Sequence, residues 1–179
     1  MQPNMEELRY PIGRYQKPEA FTPELKRQWL AVLEALPRWM DACIENLDAA
    51  QLQEPYRPEG WTVAQVIHHV ADSHMNAYVR MKLALTEENP QIKPYDEAAW
   101  AQLPDVELVP VNISVTLLHA LHRRMVTLLQ HIPDADWYRT YYHPDHKRNI
   151  PLWEAVAMYA WHSRHHTEHI SWVRERMNW

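Results

Sequence analysis

Trp161-His-Ser-Arg-His-His-Thr-Glu-His-Ile170 places four histidines within eight positions, inside what reads as the last helix of the chain. At about 100° per residue, Leu152, Ala155, Tyr159, Ile170, Val173 and Met177 fall on one side of that helix, with His162, His166 and His169 on or beside it. His165 lies farther round and Arg164 opposite, so the pattern is selective. Histidines at i and i+4 stand one turn apart on one face and can offer two ring nitrogens to one metal ion. His162/His166 and His165/His169 have that spacing, and His166/His169 at i+3 is a third pair. His162 and His169 are separated by a rise of roughly 10 Å, too far to meet at one ion. A third ligand must come from elsewhere. The competing structural reading is that these imidazoles satisfy one another and nearby carboxylates.

The rest of the chain supports a helical frame for this stretch. Its 179 residues, 46% hydrophobic, suffice for one domain spanning 1–179 with its own core. Two glycines against fourteen prolines favour long helices joined by rigid connections, because tight hairpins usually use Gly. Nine Trp and nine Tyr stand against one Phe, supplying amphipathic rings for core, pocket rim or a subunit contact. A net charge of −5 gives no basic footprint for nucleic acid or anionic membrane. Cys43 alone forms no internal disulfide, and no apolar run marks a signal or membrane span, so the expected location is the cytoplasm. Asn112-Ile-Ser114 matches a glycosylation sequon by chance.

Residues 1–21, with Pro3, Pro11, Gly13 and Pro18, form an irregular arm. Thr22-Pro23 starts the first helix with a hydroxyl cap and Pro at the first helical position, and the helix runs toward Leu47. Pro37 should kink or break it near Leu36. Thr62 and Gln65 form a capping box that opens a second helix reaching Thr86. Its stripe of Val63, Val66, Ile67, Val70, Ala77, Tyr78 and Met81 puts His74 inward and His69 well off the stripe. Residues 88–112 read as a long crossover with a short helix at 96–103, which lets the third helix run parallel to a neighbour. That third helix spans Val115 to His131, with Leu117, Leu118, Leu121, Met125 and Leu128 on its stripe. Residues 133–150 read as a polar loop bordering a pocket, and Pro151 starts the fourth helix.

With both histidine regions placed, the chain resembles the YfiT family of DinB-like proteins. The resemblance rests on Tyr10-Pro-Ile-Gly13, Gly60-Trp-Thr-Val63, His68-His-Val-Ala-Asp-Ser-His-Met-Asn76, Lys82-Leu-Ala-Leu-Thr-Glu-Glu88, Pro94-Tyr-Asp96, Tyr142-His-Pro144 and the histidine helix. It implies an all-α, four-helix bundle of the DinB/YfiT-like type with a long crossover, in which three histidines bind one divalent ion per chain. Matched residue by residue, these are His69, His162 and His166, which overrules the periodicity reading of His74. His68, His165 and His169 become candidates around the site, with Asp72 and Glu168 as possible carboxylate partners of ligand imidazoles.

Three neutral imidazoles with open positions suit Zn first, then Ni, with Fe and Cu as further candidates. Such an ion can activate water, making the chain a metal-dependent hydrolase of small molecules, the class commonly assigned to the family. It can equally favour the deprotonated form of a thiol, and family members also resemble S-transferases that conjugate low-molecular-weight thiols such as bacillithiol. The residues between His162 and His166 are Ser163, Arg164 and His165, so the zincin general base is missing. Asp72 or Glu168 are possible replacements, and Arg80 or His143 could hold an acidic thiol cosubstrate. A non-catalytic metal-binding scaffold is the third class. The resemblance also implies a homodimer.

Overall fold

The structure, a computed structural model, describes residues 4–179; Pro3 lies outside the described residues. Four long helices carry the fold: α2 (Pro23–Ile44), α4 (Val63–Thr86), α7 (Val111–His131) and α8 (Leu152–Met177). Short helices α1 (Met5–Arg9), α3 (Ala49–Leu52), α5 (Glu97–Trp100) and α6 (Pro104–Leu108) punctuate the connections. A two-stranded antiparallel hairpin, β1 (Thr140–His143) and β2 (Arg148–Pro151), precedes α8.

The helix starts follow their capping chemistry. Thr22 accepts from Leu25 N, with Pro23 behind it, and Thr62 and Gln65 satisfy each other's backbone N–H groups. Pro37 does not break α2, which is continuous through it. The lost i−4 bond is tolerated because the freed carbonyl, that of Leu33, finds another donor: His122 Nδ1, at 2.6 Å. α7 begins four residues earlier than expected, after Pro110, and α8 begins at Leu152 with Pro151 as its cap residue. The short helix in the crossover is α5, capped by Asp96, followed by α6.

Both α2 and α4 pack on α7 and α8. Leu33 and Asp41 of α2 meet His122 and His119 of α7, so those two helices run antiparallel. On α4, His68 and His74 meet Ser114 and His122, so α4 and α7 run parallel, as the long crossover between them allows. His69 and His74 close on His162 of α8; Leu33 of α2 shares a cluster with Val156 of α8 while Cys43, farther along α2, reaches Thr167, so α8 runs parallel to α2. Two large apolar clusters make up most of the core, with a smaller one of Ala84, Ile92, Tyr141, Ile150 and Ala155 at the hairpin. Of the large pair, one contains Leu33, Met81, Met125, Leu129, Trp137 and Val156; the other contains Leu36, Met40, Ile67, Val70, Leu118 and Ile170. Between them lies a polar layer drawn from α4, α7 and α8.

Residues 133–150 are a 3₁₀ turn (Asp134–Tyr138) and the hairpin rather than a loop. The scarcity of glycine misleads here: Lys147 takes the positive φ of 51° that the four-residue turn needs. The crossover backbone adds to the hairpin through Tyr142 N→Pro90 O (2.9 Å) and Ile92 N→Tyr142 O (3.1 Å). Phe21, the chain's one phenylalanine, stacks on Trp29, Trp137 and Trp153 and fastens the N-terminal arm to the bundle. Glu154, in the first turn of α8, joins arm and hairpin. Arg148 donates to both its carboxylate oxygens and Lys17 approaches at 3.0 Å, while Glu154 is only 2% exposed.

Burial alone would raise the Glu154 carboxyl, but the hydrogen bonds from Arg148 and Lys17 carry it below the usual carboxylate range. Glu154→Gln should therefore lower stability by about 1–3 kcal/mol near neutral pH in chemical denaturation, since the charged hydrogen bonds are lost while both cations regain water. A carboxyl depressed in the folded state stabilises above its unfolded pKa of about 4.3, and that contribution fades as pH falls through the folded value. The difference between wild type and Glu154→Gln should shrink accordingly on acidification below about pH 4.

Candidate metal centre

Nine of the twelve histidines are buried, and seven of them, His69, His74, His122, His162, His165, His166 and His169, meet along connected contacts. α4 supplies His69 and His74, α7 supplies His122, and α8 supplies the rest. Burial lowers the pKa of His69 to about 4 and of His122 to about 4. His74, His162 and His166 are pushed well below the ordinary value, first by burial and then by neighbouring imidazoles. The rings are neutral at pH 7, each with one N–H and one lone pair.

His69, His162 and His166 offer three ring nitrogens within 4.8 Å of one another. His69 Nε2 and His162 Nε2 are 3.3 Å apart. Two nitrogens each about 2.0–2.1 Å from one tetrahedral ion would be separated by about 3.3 Å, so the pair already has the spacing of shared coordination. The three residues thus fit a divalent ion. His165, His166 and His169 form a second group, with ring nitrogens likewise within 4.8 Å of one another. The two groups share His166, whose Nδ1 faces His169 Nδ1 at 3.4 Å.

The other candidates fall into distinct places. His68 Nδ1 pairs with Ser114 Oγ at 2.8 Å and faces α7. His165 stacks on Trp161 at 4.4 Å and packs near Tyr10 of the arm. His169 Nε2 lies 3.2 Å from Arg9 O. The carboxylates expected beside ligand imidazoles are elsewhere: Glu168 accepts from Trp172 Nε1, and Asp72, raised to about 6 by burial and the nearby Asp105, makes no hydrogen bond to a histidine. Histidines and backbone carbonyls stand where carboxylates were anticipated. His74 is fully buried, with its Nε2 3.2 Å from His162 Nδ1. His122 was not singled out from the sequence. Its signal was present, because it lies on the buried stripe of Val115, Leu118, Met125 and Leu129, whereas Leu117 on the expected stripe is 40% exposed.

A cavity of approximately 530 Å³ opens beside His162, walled by Ser73, Arg80, Tyr95, His143, Glu154 and Tyr159 among others. Two buried atoms on its wall, Tyr95 Oη and His143 Nδ1, have no partner within the described protein. Burial raises the pKa of Tyr159, which stays protonated. Arg80 donates to Lys93 O at 3.4 Å, and Glu97 stands at the exposed rim. Cys43 lies elsewhere and is held protonated, its pKa raised to about 11 by burial, so it is no nucleophile at neutral pH. No helix of the described residues is long and apolar enough to cross a membrane.

Comparison with known proteins agrees with this architecture. A protein of Bacillus mycoides (strain KBAB4) named "Putative metal-dependent hydrolase" is 50% identical over 175 residues, covering 98% of this chain and 100% of its own. A protein of Bacillus cereus (strain AH820) with the same name matches equally well. Among solved structures, YfiT from Bacillus subtilis, described as "a probable metal-dependent hydrolase with an unusual four-helix bundle topology", superposes with a TM-score of 0.94. It is 47% identical, covering 97% of this chain and 99% of that one. TT2238, a four-helix bundle protein, shares the fold at a TM-score of 0.54 and 20% identity, over 80% of this chain and 95% of its own. The DinB superfamily pattern matches residues 32–170, which takes in the polar layer, all of α4 and α7 and most of α2 and α8, and the chain belongs to that superfamily.

Proposed function

We propose that the protein is a divalent-metal-dependent hydrolase of small molecules whose ion is held by His69, His162 and His166. The observation that carries this reading is the 3.3 Å approach of His69 Nε2 to His162 Nε2, with His166 beside them, where His162 also lines a cavity of small-molecule size. Zn is the first choice of ion and Ni the second, since both accept imidazole donors. A divalent ion on three neutral nitrogens supplies Lewis acidity toward a further group, water or thiol, at neutral pH. The protein's share is to hold uncharged donors in a dry layer, to orient a substrate through Arg80, Tyr95 and His143, and to keep Tyr159 protonated as a hydrogen-bond donor.

Conjugation of a low-molecular-weight thiol is the second reading, and one observation favours it. Glu154, the buried carboxylate of the cavity wall, is engaged by Arg148 and Lys17, so it is poorly placed to take a proton from water. A thiol needs less of the protein, and Arg80 and His143 share the wall with His162 and could hold an acidic cosubstrate.

Untagged protein should carry about one ion per chain by metal mass spectrometry. A bound ion at about 1,000 times its Kd adds about 4 kcal/mol, so chelation should lower Tm by on the order of 10 °C in a chain of this size. His69→Ala and His162→Ala should each lose the ion and that shift. Zn and Ni forms are then assayed against ester and amide panels, and against bacillithiol with a chromogenic electrophile. Hydrolysis lost in both variants supports the first reading, conjugation lost in both supports the second, and freshly purified protein without metal overturns the centre itself.

A further inference from the structure

Leu33 O, His122, His74 and His162 form one continuous chain of contacts across four helices. Its hydrogen-bond direction is determined from one end. A carbonyl oxygen only accepts, so the 2.6 Å contact requires the proton on His122 Nδ1. The neutral ring then has a lone pair on Nε2, 3.0 Å from His74 Nδ1, which must donate. His74 Nε2 in turn accepts from His162 Nδ1 at 3.2 Å. That leaves the lone pair of His162 on Nε2, the nitrogen facing His69. The anchor is intrinsic to the sequence, because Pro37 has no N–H for the Leu33 carbonyl four residues before it.

A second chain does the same for His166. His169 Nε2 donates to Arg9 O at 3.2 Å, so His169 Nδ1 accepts from His166 Nδ1 at 3.4 Å and His166 Nε2 keeps its lone pair. The contact between His166 and His169 is then a hydrogen bond, and the second histidine group is a support for the first.

We infer that His74, His122 and His169 are positioning residues: two histidine relays, each ending on a backbone carbonyl, hold His162 and His166 as Nδ1–H tautomers with Nε2 turned to the centre. The inference rests on the proposed ligand set for its consequence in metal binding, but the tautomers themselves are a property of the metal-free protein. A neutral histidine side chain in water prefers the opposite, Nε2–H form, so an unconstrained His162 would report differently.

Long-range ¹H–¹⁵N NMR of the metal-free wild type at neutral pH reads the tautomers directly. Expected are Nδ1–H for His74, His122, His162 and His166 and Nε2–H for His169. His122→Leu removes the acceptor for His74 and should return His162 toward the Nε2–H form, with Zn affinity, measured by chelator competition, about 10–100-fold weaker. His122→Gln keeps an oxygen able to accept from His74 Nδ1 and should recover most of that affinity. A merely structural role for His122 would lower Tm without moving the His162 tautomer or separating Gln from Leu in affinity. Nε2–H on His162 in the wild type overturns the inference whether or not any variant folds, as does unchanged Zn affinity in folded His122→Leu. Correct tautomers in a wild type that binds no metal would leave the relays standing and remove the proposed function instead.

Discussion

The hydrogen bond from His122 Nδ1 to Leu33 O is the contact on which the polar layer depends. It solves two problems at once. Pro37 leaves a buried carbonyl without its helical donor, a deficit worth about 1–3 kcal/mol if unmet, and a buried imidazole needs an acceptor for its one N–H. Pairing the two lets α2 pass Pro37 unbroken and fixes which nitrogen of His122 is bare. That bare nitrogen sets His74, and His74 sets His162. A four-helix bundle would otherwise fill this level with Leu or Met, as it does on either side.

Using neutral groups to orient the proposed ligands has an electrostatic consequence. Ligating histidines are commonly backed by carboxylates, which hand part of a negative charge to the ion through the ring. Here the backing is imidazole and carbonyl, so a divalent ion would retain more of its charge toward the cavity. An ion so placed favours the deprotonated form of whatever fourth group approaches, and Arg80 on the same wall acts in the same sense. Arm and hairpin complete the enclosure, and Glu154 joins them: its carboxylate is neutralised by Arg148 and Lys17, so it does not oppose the positive field.

Local chemistry was the most legible part of the sequence. Thr22-Pro23 and the Thr62/Gln65 box act where their capping atoms require, because those bonds span three residues and owe little to tertiary context. The hairpin was hidden because a turn that usually takes Gly is made by Lys147. The helix at Pro37 was misjudged for a related reason: the compensating donor is 85 positions away in sequence, on α7, and no local pattern announces it. The supporting histidine on α7 was hardest of all. His122 sits on an apolar stripe, where a lone histidine attracts no attention until His74 is found opposite.

His69 and His74 illustrate the limit of periodicity most clearly. They are five residues apart on α4, about 140° round the helix, so at most one can sit at the centre of an apolar stripe. Periodicity nominated His74 and family resemblance nominated His69, as though one had to be chosen. Both are buried, and both reach His162 from different sides, His69 at Nε2 and His74 at Nδ1. An imidazole has two nitrogens, and the fold assigns one to each neighbour. The stripe found the histidine that must be dry because it hydrogen-bonds inside the core. It missed the one whose face opens on a polar interior, since a hydrophobicity pattern scores a ligand-lined cavity and bulk water alike.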